Sequence, residues 1–191
     1  MNKFRFYRLL ILTVVTAGCN SDAVDTDPIS DPDPNAVFVP TDVLVKTKGY
    51  YTIDKVFEFV NAFDHDVEVL YGGIYNSSLP SDKLSYVLSY IDTKPYTDTI
   101  YWRTYGYLHY QTKQIFVYPR MYRMKTREYQ ADWLNTRSAL KLTEKTDSEV
   151  SGWVIYFHVP EGHEKEWVTK FRKLEFVEWA ELNHVHKITL D

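Results

Sequence analysis

The sequence predicts a mixed α+β domain of about 150 residues, carried behind a short leader and an acidic tether. Three observations lead there. An apolar stretch near the N-terminus is too short to cross a bilayer, and an aspartate- and proline-rich stretch after it cannot build a core. From residue 41 onward, apolar residues switch repeatedly between strand spacing and helix spacing.

Lys3, Arg5 and Arg8 precede the apolar residues 9–17, the pattern of a cleaved secretory leader over residues 1–18. Thr16, Ala17, Gly18 and Cys19 together resemble the lipobox of bacterial lipoproteins. That resemblance implies cleavage before Cys19 and its acylation, palmitate included, so that membrane is reached through a lipid anchor. Cys19 is the sole cysteine of the sequence, and in an oxidising compartment an unlipidated thiol would have no intramolecular partner. The alternative is an ordinary signal peptide with an incidental cysteine.

Residues 19–40 read as a disordered tether. Asp22, Asp25, Asp27, Asp31 and Asp33 face no basic residue there, and Pro28, Pro32, Pro34 and Pro40 favour extended chain. Its reach is up to roughly 60 Å at ~3.1 Å per residue. Asn20 resembles the residue that follows the cysteine in outer-membrane lipoproteins. The aspartates beyond it resemble surface-export signals, so the expected location is the outer membrane, facing outward.

Without the leader's three basic residues the chain holds 19 basic and 26 acidic residues, net −7, of which the tether supplies five negatives. Residues 41–191 are then near neutral, which gives no electrostatic case for nucleic acid.

That segment is long enough for one core. Residues 43–45 read as a strand, and Thr52 as the cap of a helix with Ile53, Val56, Phe57, Val60 and Phe63 on one face. Residues 67–71 read as the next strand, loosened at its end by Gly72 and Gly73. An insert of about 72–150 follows. Pro80 and Ser81 open a helix with Leu84, Val87, Leu88 and Ile91. Residues 99–110 and 114–124 form a hairpin turning near Thr112 and Lys113, and 126–143 a helix with Tyr129, Trp133 and Leu140. Pro119 places the second hairpin strand at a sheet edge. The opening grammar then returns. Residues 153–159 read as a strand, 163–175 as a helix with Trp167, Val168, Phe171 and Leu174 on one face, and 177–186 as a strand. Val43 to Val154 and Val67 to Val177 are offset by 111 and 110 positions. Two such βαβ units make a ferredoxin-like α/β sandwich, here interrupted by a helix–hairpin–helix insert.

The last 40 residues resemble subtilisin-type propeptides and their free-standing inhibitor relatives. The resemblance rests on residues 152–162, the following amphipathic helix, and Val177, Glu178, Trp179, Glu181 and Asn183, which occupy the family's closing motif. It implies a ferredoxin-like scaffold and, as one possible activity, protease inhibition or chaperoning of a protease. In that family the residues after the last strand lie in the protease cleft; here they would be 184–191. No protease domain follows, the insert is foreign to the family, and after Leu190 the acidic terminal Asp191 suits an apolar specificity pocket poorly.

Catalytic chemistry has no anchor in the sequence: no phosphate-binding glycine loop, no nucleophile elbow, no catalytic cysteine. Ser77 and Ser78 read as turn residues. His158, His163, His184 and His186 could approach one another as zinc ligands, or remain polar residues of a half-exposed sheet; we expect the second, with no metal and no cofactor. The distinctive segment is 99–127, with six basic residues and no acidic one. Tyr101, Arg103, Tyr105 and Tyr107, with Arg120 and Arg123 across the hairpin, could bind a protein or an acidic glycan. Alternatively, the tyrosine face packs beneath the insert's helices. The function expected is a non-enzymatic, lipid-anchored binding protein of the cell envelope. The alternative is a propeptide-like protease inhibitor or folding chaperone.

Overall fold

The computed structural model describes residues 37–97, 100, 102–146 and 151–185. Cys19 and nearly all of the tether lie outside the described residues, as do Tyr101 and 186–191, the last strand's expected end and the tail after it. No described helix is long and apolar enough to cross a membrane.

The described residues fold as an α+β arrangement of two antiparallel sheets and four helices. Strand β1 (Phe38–Thr47) begins inside the stretch expected to be tether, because residues 38–40 are drawn into the ladder where Phe38 pairs with His184. Helix α1 (Ile53–Asn61) buries Ile53, Val56, Phe57 and Val60, as their spacing requires. Strand β2 (Asp66–Tyr71) follows. Near the C-terminus, β8 (Val154–His158), α4 (Glu164–Arg172) and β9 (Val177–His184) repeat the sequence of elements. Strand β8 lies between β1 and β2, and β1 between β8 and β9, every pair antiparallel. Strands β1 and β2 therefore run parallel to each other across β8, which is why a helix must carry the chain between them. Helices α1 and α4 share one face, where Phe59, Phe157 and Phe171 meet with ring centroids 4.8–6.2 Å apart. Phe171 is fully buried there; Trp167 is half-buried and Leu174 exposed, so the expected stripe of α4 is narrower than its spacing suggested.

The insert departs most from expectation. It contains β3 (Tyr75–Ser77), a 3-10 turn (Ser81–Lys83) leading into α2 (Leu84–Asp92), β4 (Tyr105–Leu108), β5 (Ile115–Tyr118), β6 (Met121–Tyr122), α3 (Arg127–Ala139) and β7 (Leu142–Glu144). The expected hairpin forms, β4 against β5 between α2 and α3 in the chain, and β3 and β7 extend it into a second sheet in the order β4-β5-β3-β7. Helix α3 stops at Ala139 because β7 takes up the residues expected to continue it. Strand β5 is interior, between β4 and β3, which corrects the edge position inferred from Pro119. Pro119 is buried where the chain leaves one sheet for the other, a place that asks no N–H of it. Strand β6 then joins β2 at the edge of the first sheet.

The two sheets share one core. Tyr75 of β3 meets Trp133 of α3 at 5.5 Å and Trp153, just before β8, at 6.1 Å, all three fully buried. Gly73 passes so close to the Trp153 indole that a Cβ at that position would overlap the ring. The glycine admits a tryptophan more than it loosens a strand. Thr52 makes no side-chain cap on α1; the Ile53 N–H instead donates to Glu144 of β7, which ties the second sheet to the first helix.

Candidate functional site

Strands β4 and β5 pair Tyr105 with Tyr118 and Tyr107 with Phe116. Alternation puts these four rings on one side, while Ile115 and Val117 turn into the core. Gly106, on the inner side, lets α2 approach: a Cβ there would meet the Leu88 side chain and the Phe116 carbonyl. The helices of the insert thus pack on the side opposite the tyrosines, and the arrangement with Tyr105 and Tyr107 beneath them is not the one adopted. Tyr105 is 63 % exposed and Tyr107 36 %.

The rings form a continuous set. Tyr105 and Tyr118 lie 5.6 Å apart, Tyr118 and Tyr107 6.0 Å, and Tyr107 and Phe116 5.6 Å with planes only 11° apart. His109 extends the row from Phe116, and Tyr110, 74 % exposed, stacks on His109. Lys145 sits over the Phe116 ring at 5.5 Å. Partial burial, with a hydrogen bond to the Tyr107 hydroxyl second, pushes the Tyr118 phenol up to about 12. Tyr118 therefore stays an uncharged phenol at neutral pH.

The arginines expected beside the tyrosines are distributed over three places. Arg103 is exposed ahead of β4. Arg120 is half-buried among rings, its guanidinium carbon 4.3 Å from Trp102, 5.4 Å from Tyr71 and 5.7 Å from Tyr122. Its Nε is buried without a hydrogen-bond partner, so ring faces supply its environment. Arg123 lies beyond β6, beside Glu68 of β2, away from the tyrosine row. Phe116, Tyr118, Lys145 and Trp102 belong to the aromatic surface although the hairpin pattern singled out none of them. The cross-strand register, readable as alternation on 115–118, was the signal that could have found the first two.

The motif residues of the last strand are mostly ladder residues. Val177 is buried opposite Thr47, and Trp179 is half-buried opposite Lys46. Glu178 lies 3.6 Å from the Lys46 ammonium, and Glu181 is exposed. Asn183 donates to Asp42 at 2.9 Å. His186 lies outside the described residues; His158 contacts Asp42 and Glu68, and His163 contacts Glu166. Among the described residues no group of three side chains could hold a metal ion. The buried Ser77 hydroxyl donates to the Leu140 carbonyl at 2.6 Å and accepts from the Leu79 N–H, which makes it a turn residue.

No family model matches the sequence, and neither the curated proteins nor the solved structures provide a match.

Proposed function

We propose that this protein is a non-enzymatic lipoprotein of the cell envelope, anchored through Cys19 to the outer membrane. Its ligand is a protein or extracellular polymer that lies across Tyr105, Tyr107, Phe116 and Tyr118. The observation that carries this reading is the exposed ring set itself. A folded domain gains stability by covering cross-strand aromatics, yet β4 and β5 leave Tyr105 and Tyr107 exposed and Phe116 and Tyr118 only half-buried. Residues 99–127 hold six basic residues and no acidic one, and Lys145 lies over the Phe116 ring, which favours a polyanionic polymer over a basic one.

Affinity electrophoresis through gels containing heparin tests this directly. The protein is expected to be retarded, and Tyr105→Ala with Tyr107→Ala to abolish the retardation without lowering Tm. Unretarded wild-type protein at low salt, or retardation indifferent to both tyrosines, counts against the site.

A specific observation favours a second reading. The order β2-β8-β1-β9, with helices linking β1 to β2 and β8 to β9, supports a ferredoxin-like core within the first sheet. That core is the scaffold that the resemblance to subtilisin-type propeptides implies, so inhibition or chaperoning of a protease is the alternative function. Titrating subtilisin-type proteases with the protein separates the two: tight inhibition that disappears on deleting residues 186–191 would favour the inhibitor.

A further inference from the structure

Beyond Tyr122 the chain leaves the edge of the first sheet and opens a cleft. Arg123 still donates its N–H to the Glu68 carbonyl at 3.0 Å, then takes a left-handed φ of 56°. The turn closes where the Thr126 N–H donates to the Arg123 carbonyl at 3.0 Å. Lys125 is held by donation to the His65 carbonyl at 2.9 Å. Between this turn and β2 lies a cavity of about 410 Å³, lined by Asp66, Val67, Glu68, Arg123, Lys125, Thr126 and His158.

The walls differ chemically. Asp66 and Glu68 are two apart on β2, and Asp66 pairs across the ladder with His158. The His158 Nδ1 lies 3.0 Å from Asp42, a buried carboxylate that Asn183 also holds. A carboxylate has no proton to give, so the Nδ1–H donates to Asp42, and Nε2 lies 3.5 Å from Glu68. One wall thus offers carboxylate acceptors, Asp66 and Glu68. The other offers donors: the Arg123 guanidinium, the protons left on Lys125, and the Thr126 hydroxyl. Asp66 and Arg123 line the same cleft, yet neither forms an ion pair among the described residues. Among the described residues Arg123 is one of four non-glycine residues with positive φ. Strained backbone of that kind persists where surrounding structure fixes it and is concentrated at ligand sites.

We infer that the cleft binds a short peptide as a zwitterion, with its ammonium against Asp66 and Glu68 and its carboxylate on Arg123 and Thr126. A purely anionic ligand would meet the two β2 carboxylates, and a purely cationic one Arg123 and Lys125, as like charges. The volume lies within the range of small-ligand pockets and well below that needed for a folded partner's element. This site is separate from the tyrosine row and does not depend on the reading given to it.

The test is calorimetric titration of the full chain, in non-ionic detergent, with a panel of dipeptides carrying apolar, aromatic, acidic and basic side chains. At least one is expected to bind. Acetylating its amine or amidating its carboxylate should each weaken binding at least about tenfold, the loss of one charge-assisted contact. Arg123→Gly should weaken binding similarly while leaving Tm unchanged or raised, because glycine accepts the left-handed φ. Tyr105→Ala should leave dipeptide binding unaltered. Absence of binding across the whole panel, equal binding of the capped peptides, or wild-type affinity in Arg123→Gly each overturns the proposal.

Discussion

Glu144 accepts the indole N–H of Trp153 at 2.7 Å through one carboxylate oxygen and the Ile53 N–H at 2.9 Å through the other. Both donors lie in the part of the fold built by the chain's two ends, while Glu144 belongs to the insert, so one side chain joins three elements. Glutamine in this place has a single acceptor and would turn an NH2 toward a donor. Glu144→Gln is expected to cost about 1–3 kcal/mol, the penalty of a buried donor left unmatched. Trp153→Phe removes one donor, and a double-mutant cycle by urea denaturation should show the two substitutions to be non-additive.

The same residue gives the pH dependence. Burial holds the Glu144 carboxyl above the usual carboxylate range, against the opposing effect of its hydrogen bonds. The folded state therefore binds this proton more tightly than the unfolded chain does. Its contribution is complete below the unfolded value of about 4.3 and is lost as pH rises through the raised pKa. Comparing denaturation of wild type and Glu144→Gln between pH 4 and pH 8 should show the difference in stability shrinking as pH rises. A difference that grows with pH would contradict the assignment.

Gly73→Ala places a methyl group against the Trp153 ring, which is fully buried and has no free space to yield. Overpacking of this kind costs about 1–3 kcal/mol. Gly162, with φ of 83° and nothing near its missing Cβ, is the control: Gly162→Ala should show backbone strain alone. Thermal melting of the pair separates contact from conformation.

In α4, Phe171→Ala should cost about 3–5 kcal/mol, because the ring is fully buried between Phe157, Phe63 and Phe59. Trp167→Ala should cost less despite the larger ring, since Trp167 is only half-buried, edge-on to Phe63 and His65. Equal losses in urea denaturation would mean that burial does not govern this helix.

Cys19→Ser should abolish incorporation of a palmitate analogue and release the protein from the membrane fraction. Equal labelling of the variant would end the lipoprotein reading.

What the sequence made legible follows element length. Helices α1 and α4 and strands β1, β2, β8 and β9 each carry enough residues for the 3.6- or 2-residue period to register. Strands β3 and β7 have three residues apiece, and Ser77 and Glu144 are polar, so no alternation announces them. Their existence comes from pairing: Tyr75 opposite Val117 on one side and Glu144 on the other. For the candidate sites, composition located the tyrosines and the cations of 99–127 but not their partition. Arg120 and Arg123 are three apart in sequence, yet the break at Pro119 and the left-handed turn at Arg123 send one among aromatic rings and the other toward carboxylates.

The passage of β5 into β6 across Pro119 has a consequence for how the protein can be cut. An insert whose ends meet is ordinarily detachable, and deleting it restores the parent domain. Here excision of 72–150 would strip β6 from β2 and leave the backbone of that strand open to pairing with another molecule. It would also empty the space that Tyr75 and Trp133 fill against Trp153. The excised parent should self-associate through its bared edge, and the insert is better regarded as the first sheet's outer wall.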